Sequence, residues 1–272
     1  MPEPGEEHRH IDRADQLARV ARLTARDAHR GEDRQAMFFE GPGDIGKSSL
    51  LLEIYERHGD QGVYFVDLSR VATERDVLEA LAMQARSQRV DVPSYRTTRD
   101  RFAEQSASTQ VSLSNVRARN SAIQLLTQSE DRGLQTDALS DALLDNLMSD
   151  SRRPVICLDS FEACAQPMRQ WLGRKLLPNL LTRPEASVFV AGRELPSLSR
   201  PYSRAVHTMV LPPFDVGAVH DWIETLGLAS LQDKAVTIQQ AHGGVPGLLA
   251  AFFACHIEPE PAGAGGDQDG EA

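Results

Sequence analysis

Lysine is scarce in this chain: of 29 basic residues only Lys47, Lys175 and Lys234 are lysine, and arginine supplies the rest. Cysteine is scarcer still, with Cys157, Cys164 and Cys255 at unrelated spacings, which excludes a disulfide framework or a zinc site. Long apolar runs are missing. The longest, Gly247 to Cys255, is about half of a membrane span. The opening Met1-Pro-Glu-Pro-Gly-Glu-Glu is acidic and has no apolar core, so no secretory signal is expected. A soluble, cytoplasmic protein with no membrane contact is the expectation. No internal repeat occurs, and neither a Cys-His pair nor a Gly-x-Ser-x-Gly elbow offers a nucleophile. His8-Arg-His10 lies in a polar terminus and does not read as a metal site.

A basic excess is missing as well. The net charge is −10, from 39 acids against 29 bases. The last 16 residues, from Ile257, hold five acids and no base, leaving 34 acids against 29 bases in the body. Such a body is not expected to take nucleic acid as its partner. Arginines do concentrate at 86, 89, 96, 99, 101, 117 and 119, but acids and polar residues interleave with them. That pattern reads as a solvated helix face.

What is present is ordinary globular material: 272 residues, 41% apolar and 25% charged, enough to bury a sizeable core unaided. Short, nearly continuous apolar runs mark buried strands at Ala36–Glu40, Gly62–Asp67, Pro154–Asp159 and Ala186–Gly192, with a weaker one at His207–Leu211. Helical patterns lie between them, over Ser48–Arg57, over Arg75–Arg86 and at Leu139, Leu143 and Leu147, the last with Thr136 or Asp137 as cap. The polar, Ser/Thr-rich stretch Glu104–Val116 reads as a loop or mobile insertion.

Alternation of strand and helix predicts a three-layer α/β fold with a mainly parallel five-stranded sheet. After Pro212-Pro213-Phe214-Asp215, three helical stretches form a small unit placed where a lid would sit. The expected organisation is an N-terminal segment with its helix over 1–30, the α/β core over 31–212, the helical lid over 213–256 and a disordered acidic tail over 257–272.

Gly41-Pro-Gly-Asp-Ile-Gly-Lys47-Ser48 satisfies G-x-x-x-x-G-K-[ST] between the first strand and the first core helix. A loop wrapped round a phosphate needs glycine where a side chain would block the approach. Its backbone N–H groups and the helix dipole attract the anion. Lys47, expected on an exposed loop, reaches the β- and γ-phosphates, and Ser48 offers a hydroxyl to Mg²⁺. Lysine's survival here in an arginine-rich chain suits a compact ammonium rather than a planar fork.

Asp159 ends the third strand where a carboxylate can contact Mg²⁺. The residue directly after it is Ser160, not the Glu that would polarise water, and the nearest acid is Glu162. Glu162 serves as base from a displaced position, or turnover is slow. Arg193 follows the fourth strand, where a cation could touch the γ-phosphate; the alternative is a salt bridge to Glu194 or Glu162. No Asn/Thr-Lys-x-Asp guanine-reading motif occurs, which favours adenine.

Together these elements resemble the STAND class of signal-transduction ATPases, which includes NB-ARC and NACHT domains and bacterial ATP-driven regulators. The resemblance runs from about Ile11 to Ala254. Ile11-Asp-Arg-Ala-Asp-Gln-Leu looks like a degraded form of that class's apolar-Gly-Arg-Glu opening, with Asp12 in place of Gly. Leu158-Asp-Ser-Phe-Glu162 is similar to its Asp-x-x-Glu variant, Ala191-Gly-Arg193 to its arginine sensor, and Gly243-Gly-Val-Pro246 to its Gly-x-Pro motif, whose proline packs near the adenine. The resemblance implies an ATP- and Mg²⁺-dependent, slowly hydrolysing switch, with ADP as product. Gly41, Pro42, Gly43, Asp44, Ile45, Gly46, Lys47, Ser48, Ser49 and Pro246 would bind nucleotide, Ser48 and Asp159 metal. Lys47, Asp159, Glu162 and Arg193 would carry the chemistry. A protein partner or downstream effector domain and a nucleotide-dependent oligomer are implied. The competing readings are an AAA-type ATPase acting on DNA and a scaffold that binds nucleotide without hydrolysis.

Overall fold

A computed structural model describes residues 13–25, 35–59, 62–113, 121–150 and 152–257, with side chains described outside 105–131. His8-Arg-His10, Ile11-Asp12, Arg117, Arg119 and the tail from Glu258 lie outside the described residues. The chain divides into two compact units, Arg13–Leu211 and a second that includes the residues from Pro212 onward.

The first unit is built on five strands: β1 (Ala36–Glu40), β2 (Val63–Asp67), β3 (Val155–Asp159), β4 (Ser187–Gly192) and β5 (Val206–Val210), the last preceded by the short helix α8 (Arg200–Ser203). They form one sheet in the order β2-β3-β4-β1-β5, and every neighbouring pair is parallel. Side chains alternate between its faces. Ala36, Phe38, Tyr64, Val66, Ile156, Leu158, Val188 and Val190 bury one face beneath α3 (Glu74–Ser87), α5 (Ser121–Met148), α6 (Gln166–Trp171) and α7 (Leu177–Leu181). Met37, Phe39, Val63, Val155, Cys157, Phe189 and Ala191 bury the other beneath α1 (Ala14–Thr24) and α2 (Lys47–Arg57). Coverage of both faces is why the strands read as apolar runs without alternation. The result is a three-layer α/β fold, and Cys157 is core filler within it.

Two connections differ from the sequence expectation. Glu104–Val116 is not a loop as far as it is described: α4 (Pro93–Leu113) runs through it to Leu113 and lies against α5. Proline at the first helical position has the φ that starts a helix, and pairing with a second long helix compensates for a sequence without an apolar stripe. Nor do Thr136 or Asp137 cap a helix, because α5 already starts at Ser121. Thr136 Oγ1 donates back to the Arg132 carbonyl at 2.9 Å, the mid-helix use of a threonine. Asp137 pairs with Lys175 at 2.7 Å.

That pair is the first of three rungs. Asn179 donates to Asp141 one helical turn further along both helices, and Arg183, just past the end of α7, pairs with Asp145. The rungs hold α5 parallel to the helix formed by α6, a π-type turn at Leu172–Leu176 and α7. Among the concentrated arginines, Arg86, Arg89, Arg96 and Arg101 are exposed, and Arg96 pairs with Asp91, in keeping with a solvated surface.

The β2 edge is closed by side chains. Gln84 of α3 accepts from Phe65 N at 2.8 Å and donates to Phe65 O at 2.7 Å, and Gln88 donates to Val63 O. One helical turn apart, the two amides satisfy the edge of β2 as a neighbouring strand would.

The second unit packs α9 (Val216–Thr225), α10 (Ala235–His242) and α11 (Pro246–Ala254) round Trp222, which meets Phe214 and Phe253 edge-on at 5.8 and 5.2 Å. Asp215 caps α9 by accepting from Ala218 N at 2.8 Å, and Phe214 N donates to Gly244 O at 2.7 Å. Among the described residues no helix is long and apolar enough to cross a membrane.

Candidate functional site

The loop Gly41–Gly46 leaves β1 and turns directly into α2 at Lys47. Its turn needs two left-handed residues, Asp44 at φ 62° and Gly46 at φ 90°. Gly43 has a different reason. A Cβ there would fall 2.6 Å from Nη2 of Arg193, so the missing side chain lets the guanidinium lie against the loop. Gly41, Ile45 and Lys47 are buried, whereas Pro42, Asp44, Ser48 and Ser49 are exposed.

Lys47 does not sit on an exposed loop. It is 8% exposed, and its Nζ donates to Gly41 O at 2.8 Å and to Pro42 O at 2.6 Å. Burial pushes its ammonium below the ordinary lysine range, and Arg193 adds to the lowering. Glu162, Asp159 and Asp44 pull the other way. The ammonium is held in place by carbonyls of the loop it belongs to. An incoming anion could replace them without any movement of α2.

Asp159 is buried at the tip of β3, and the Ser48 hydroxyl from the first turn of α2 lies beside its carboxylate. Ser160 N donates to Asp159 Oδ1 at 2.8 Å from a left-handed backbone at φ 59°. Burial raises the Asp159 pKa, opposed by the Ser48 and Ser160 hydrogen bonds; the charges of Asp67 and Glu162 raise it further. Asp67 is a useful contrast. It ends β2 beside Asp159, in register, in an equally apolar strand. Its carboxylate, however, is spent on Ser69 N at 3.0 Å, Ser69 Oγ at 2.6 Å and Arg70 Nε at 3.0 Å. Asp159 is the strand-end acid joined to the phosphate loop.

Glu162 and Arg193 meet each other. Arg193 N donates to Glu162 Oε2 at 2.9 Å, and Arg193 Nε lies 3.5 Å from Oε1. Arg169, which no motif or spacing singles out, fastens this corner. Its guanidinium donates to the Glu162 and Cys164 carbonyls and pairs with the Glu194 side chain. A lone arginine on a short helix carries no spacing signal, so only the folded chain could point to it. The loop, Lys47, Ser48, Asp159, Glu162 and Arg193 thus belong to one constellation at the ends of β1, β3 and β4. Pro246 belongs to the other unit, as the first residue of α11.

Ser48 and Asp159 offer two adjacent oxygen donors, the chemistry that Mg²⁺ takes, and the buried ammonium and tight loop suit a phosphate. The residues fit both groups.

No protein-family model matches the chain, and no curated protein does. Solved structures do. A signal-transduction ATPase with numerous domains (STAND) carrying a tetratricopeptide repeat sensor, from Pyrococcus horikoshii, matches at TM-score 0.52 and 12% identity over 86% of this chain. The Orc1 protein of Aeropyrum pernix, solved in complex with DNA, matches at TM-score 0.51 and 17% identity over 92% of this chain. The chain spans 28% and 62% of those two proteins respectively, less than two thirds of either. The chain shares the three-layer α/β fold of these two proteins.

Proposed function

We propose that this chain binds ATP with Mg²⁺ on the Gly41–Ser49 loop and works as a slowly hydrolysing nucleotide switch. The observation that carries the reading is the Ser48 hydroxyl beside the buried Asp159 carboxylate, next to the buried Lys47 ammonium. It joins a hydroxyl, a carboxylate and a cation where β1 hands over to α2.

Lys47 would exchange its loop carbonyls for phosphate oxygens, and Ser48 and Asp159 would hold the metal. Bound Mg²⁺ would supply charge neutralisation of the phosphates. Glu162 would orient water, and Arg193 would report the γ-phosphate. Slow turnover has support in the pairing of those two residues, because Arg193 holds the Glu162 carboxylate at the end of β4 and takes up part of its accepting capacity. Pro246 would lie near the adenine, a role that rests on the STAND resemblance alone. A protein partner or effector domain as output, and a nucleotide-dependent oligomer, rest on it too.

Titration of a fluorescent ATP analogue into wild type and Lys47→Ala, alongside circular dichroism, tests the reading. Binding lost with the fold intact is expected; unchanged affinity would remove its basis.

A second reading, an AAA-type ATPase acting on DNA, has one observation in its favour: the likeness to the Aeropyrum pernix Orc1 protein, solved with DNA, equals that to the STAND protein. The net charge of −10 counts against it. Turnover stimulated by DNA at low salt would favour this second reading. Unstimulated turnover would favour the switch, and no turnover a binding scaffold.

A further inference from the structure

Asp44 occupies the turn of the phosphate loop in a left-handed conformation, one of three residues other than glycine with positive φ among those described. Glycine meets such a backbone at no cost, and asparagine meets it as well as aspartate does. The conformation therefore accounts for a small polar residue but not for the charge.

Nor does a partner account for it. Asp159 is engaged by Ser48 and Ser160, and Glu162 by Arg193. Asp44 is exposed, with no hydrogen bond or ion pair among the described residues, and its field reaches Lys47. The charged groups acting on Lys47 are the carboxylates of Glu162, Asp159 and Asp44 and the guanidinium of Arg193. Counting Lys47 itself, three negative charges face two positive ones. The charged side chains acting on Lys47, counted with it, are net negative before any ligand arrives, and a metal-free polyphosphate brings several more negative charges.

We propose that Asp44 makes this loop select the magnesium complex of a nucleotide and reject metal-free polyphosphates, ATP and pyrophosphate included. The inference rests on the nucleotide-binding reading above. Asp44 sets the selectivity of that site through charge. It is not a metal ligand in this scheme.

The test is equilibrium binding of ATP and of pyrophosphate to the full chain, measured by calorimetry with Mg²⁺ and with EDTA, for wild type, Asp44→Asn and Asp44→Gly. Asparagine keeps the shape and removes the charge; glycine removes both the charge and the backbone cost. Wild type is expected to bind ATP far more weakly in EDTA than with Mg²⁺. Both variants should tighten metal-free ATP and pyrophosphate about fivefold to tenfold, the effect of one partly screened unit charge, and Mg²⁺-ATP, which carries about half the charge of ATP, only about twofold to threefold. Equal tightening with and without metal would overturn the proposal, as would an effect confined to glycine, which belongs to the backbone. An unchanged metal preference in both variants would also overturn it. If wild type binds Mg²⁺-ATP and Lys47→Ala does not, that failure is of the Asp44 proposal alone. If wild type binds no nucleotide under either condition, both fall together.

Discussion

The backbone N–H of Arg193 donates to one carboxylate oxygen of Glu162 at 2.9 Å, while its side-chain Nε lies 3.5 Å from the other. The two residues come from different strand ends, 31 positions apart. Acid and cation are therefore joined beside the phosphate loop, and neither can change role without the other.

Glu162→Gln should separate binding from turnover. The amide oxygen can still accept from Arg193 N, so the corner keeps its shape, but the proton acceptor is gone. Single-turnover ATP hydrolysis should fall by about 10²–10⁴ with affinity retained. Hydrolysis at the wild-type rate would make Glu162 a tether for Arg193 and nothing more.

Asp159→Asn should stabilise the metal-free protein at neutral pH. The folded-state pKa of Asp159 is raised by burial, so its carboxylate costs stability once ionised. Below the ordinary carboxylate pKa, wild type is neutral there in both folded and unfolded states and the penalty vanishes. As pH rises from that ordinary value to the raised folded-state value the penalty grows, and above the folded-state value it levels off. Melting temperatures of both proteins from acid to neutral pH, without divalent metal, should diverge in that direction. The same substitution should weaken Mg²⁺-dependent nucleotide binding. A variant no more stable than wild type at neutral pH would contradict the buried-charge account.

Gln84→Ala should lower stability by about 1–3 kcal/mol, since it strips both the donor and the acceptor from Phe65 at the β2 edge. Urea unfolding measures this. Association at high protein concentration should accompany it, because a bared strand edge templates pairing. A change within experimental scatter would show that water serves that edge equally well.

Much of the fold could be read in the amino-acid order. Strands covered on both faces must be apolar along their whole length, and the four such runs, Ala36–Glu40 through Ala186–Gly192, lie on strands of the sheet within a residue or so at each end, as does the weaker His207–Leu211, whose edge strand is only partly covered. The glycine-rich turn between β1 and α2 and the lysine that follows it were equally legible, because their local geometry restricts which residues can stand there.

What the sequence could not give were relations between distant residues. Glu104–Leu113 reads as a loop because helix α4 is held by its neighbour α5 rather than by an apolar stripe of its own. Val63–Asp67 and Val155–Asp159 end in the same residue, and only the sheet decides that Asp67 caps Ser69 while Asp159 takes Ser48. The role of Arg169 depends on how strand ends align across the sheet, and so does the choice of Glu162 over Glu194, both offered by the sequence, as the partner of Arg193. Local pattern is fixed by backbone and burial; the partner of each charge is fixed by register, which no short stretch of sequence contains.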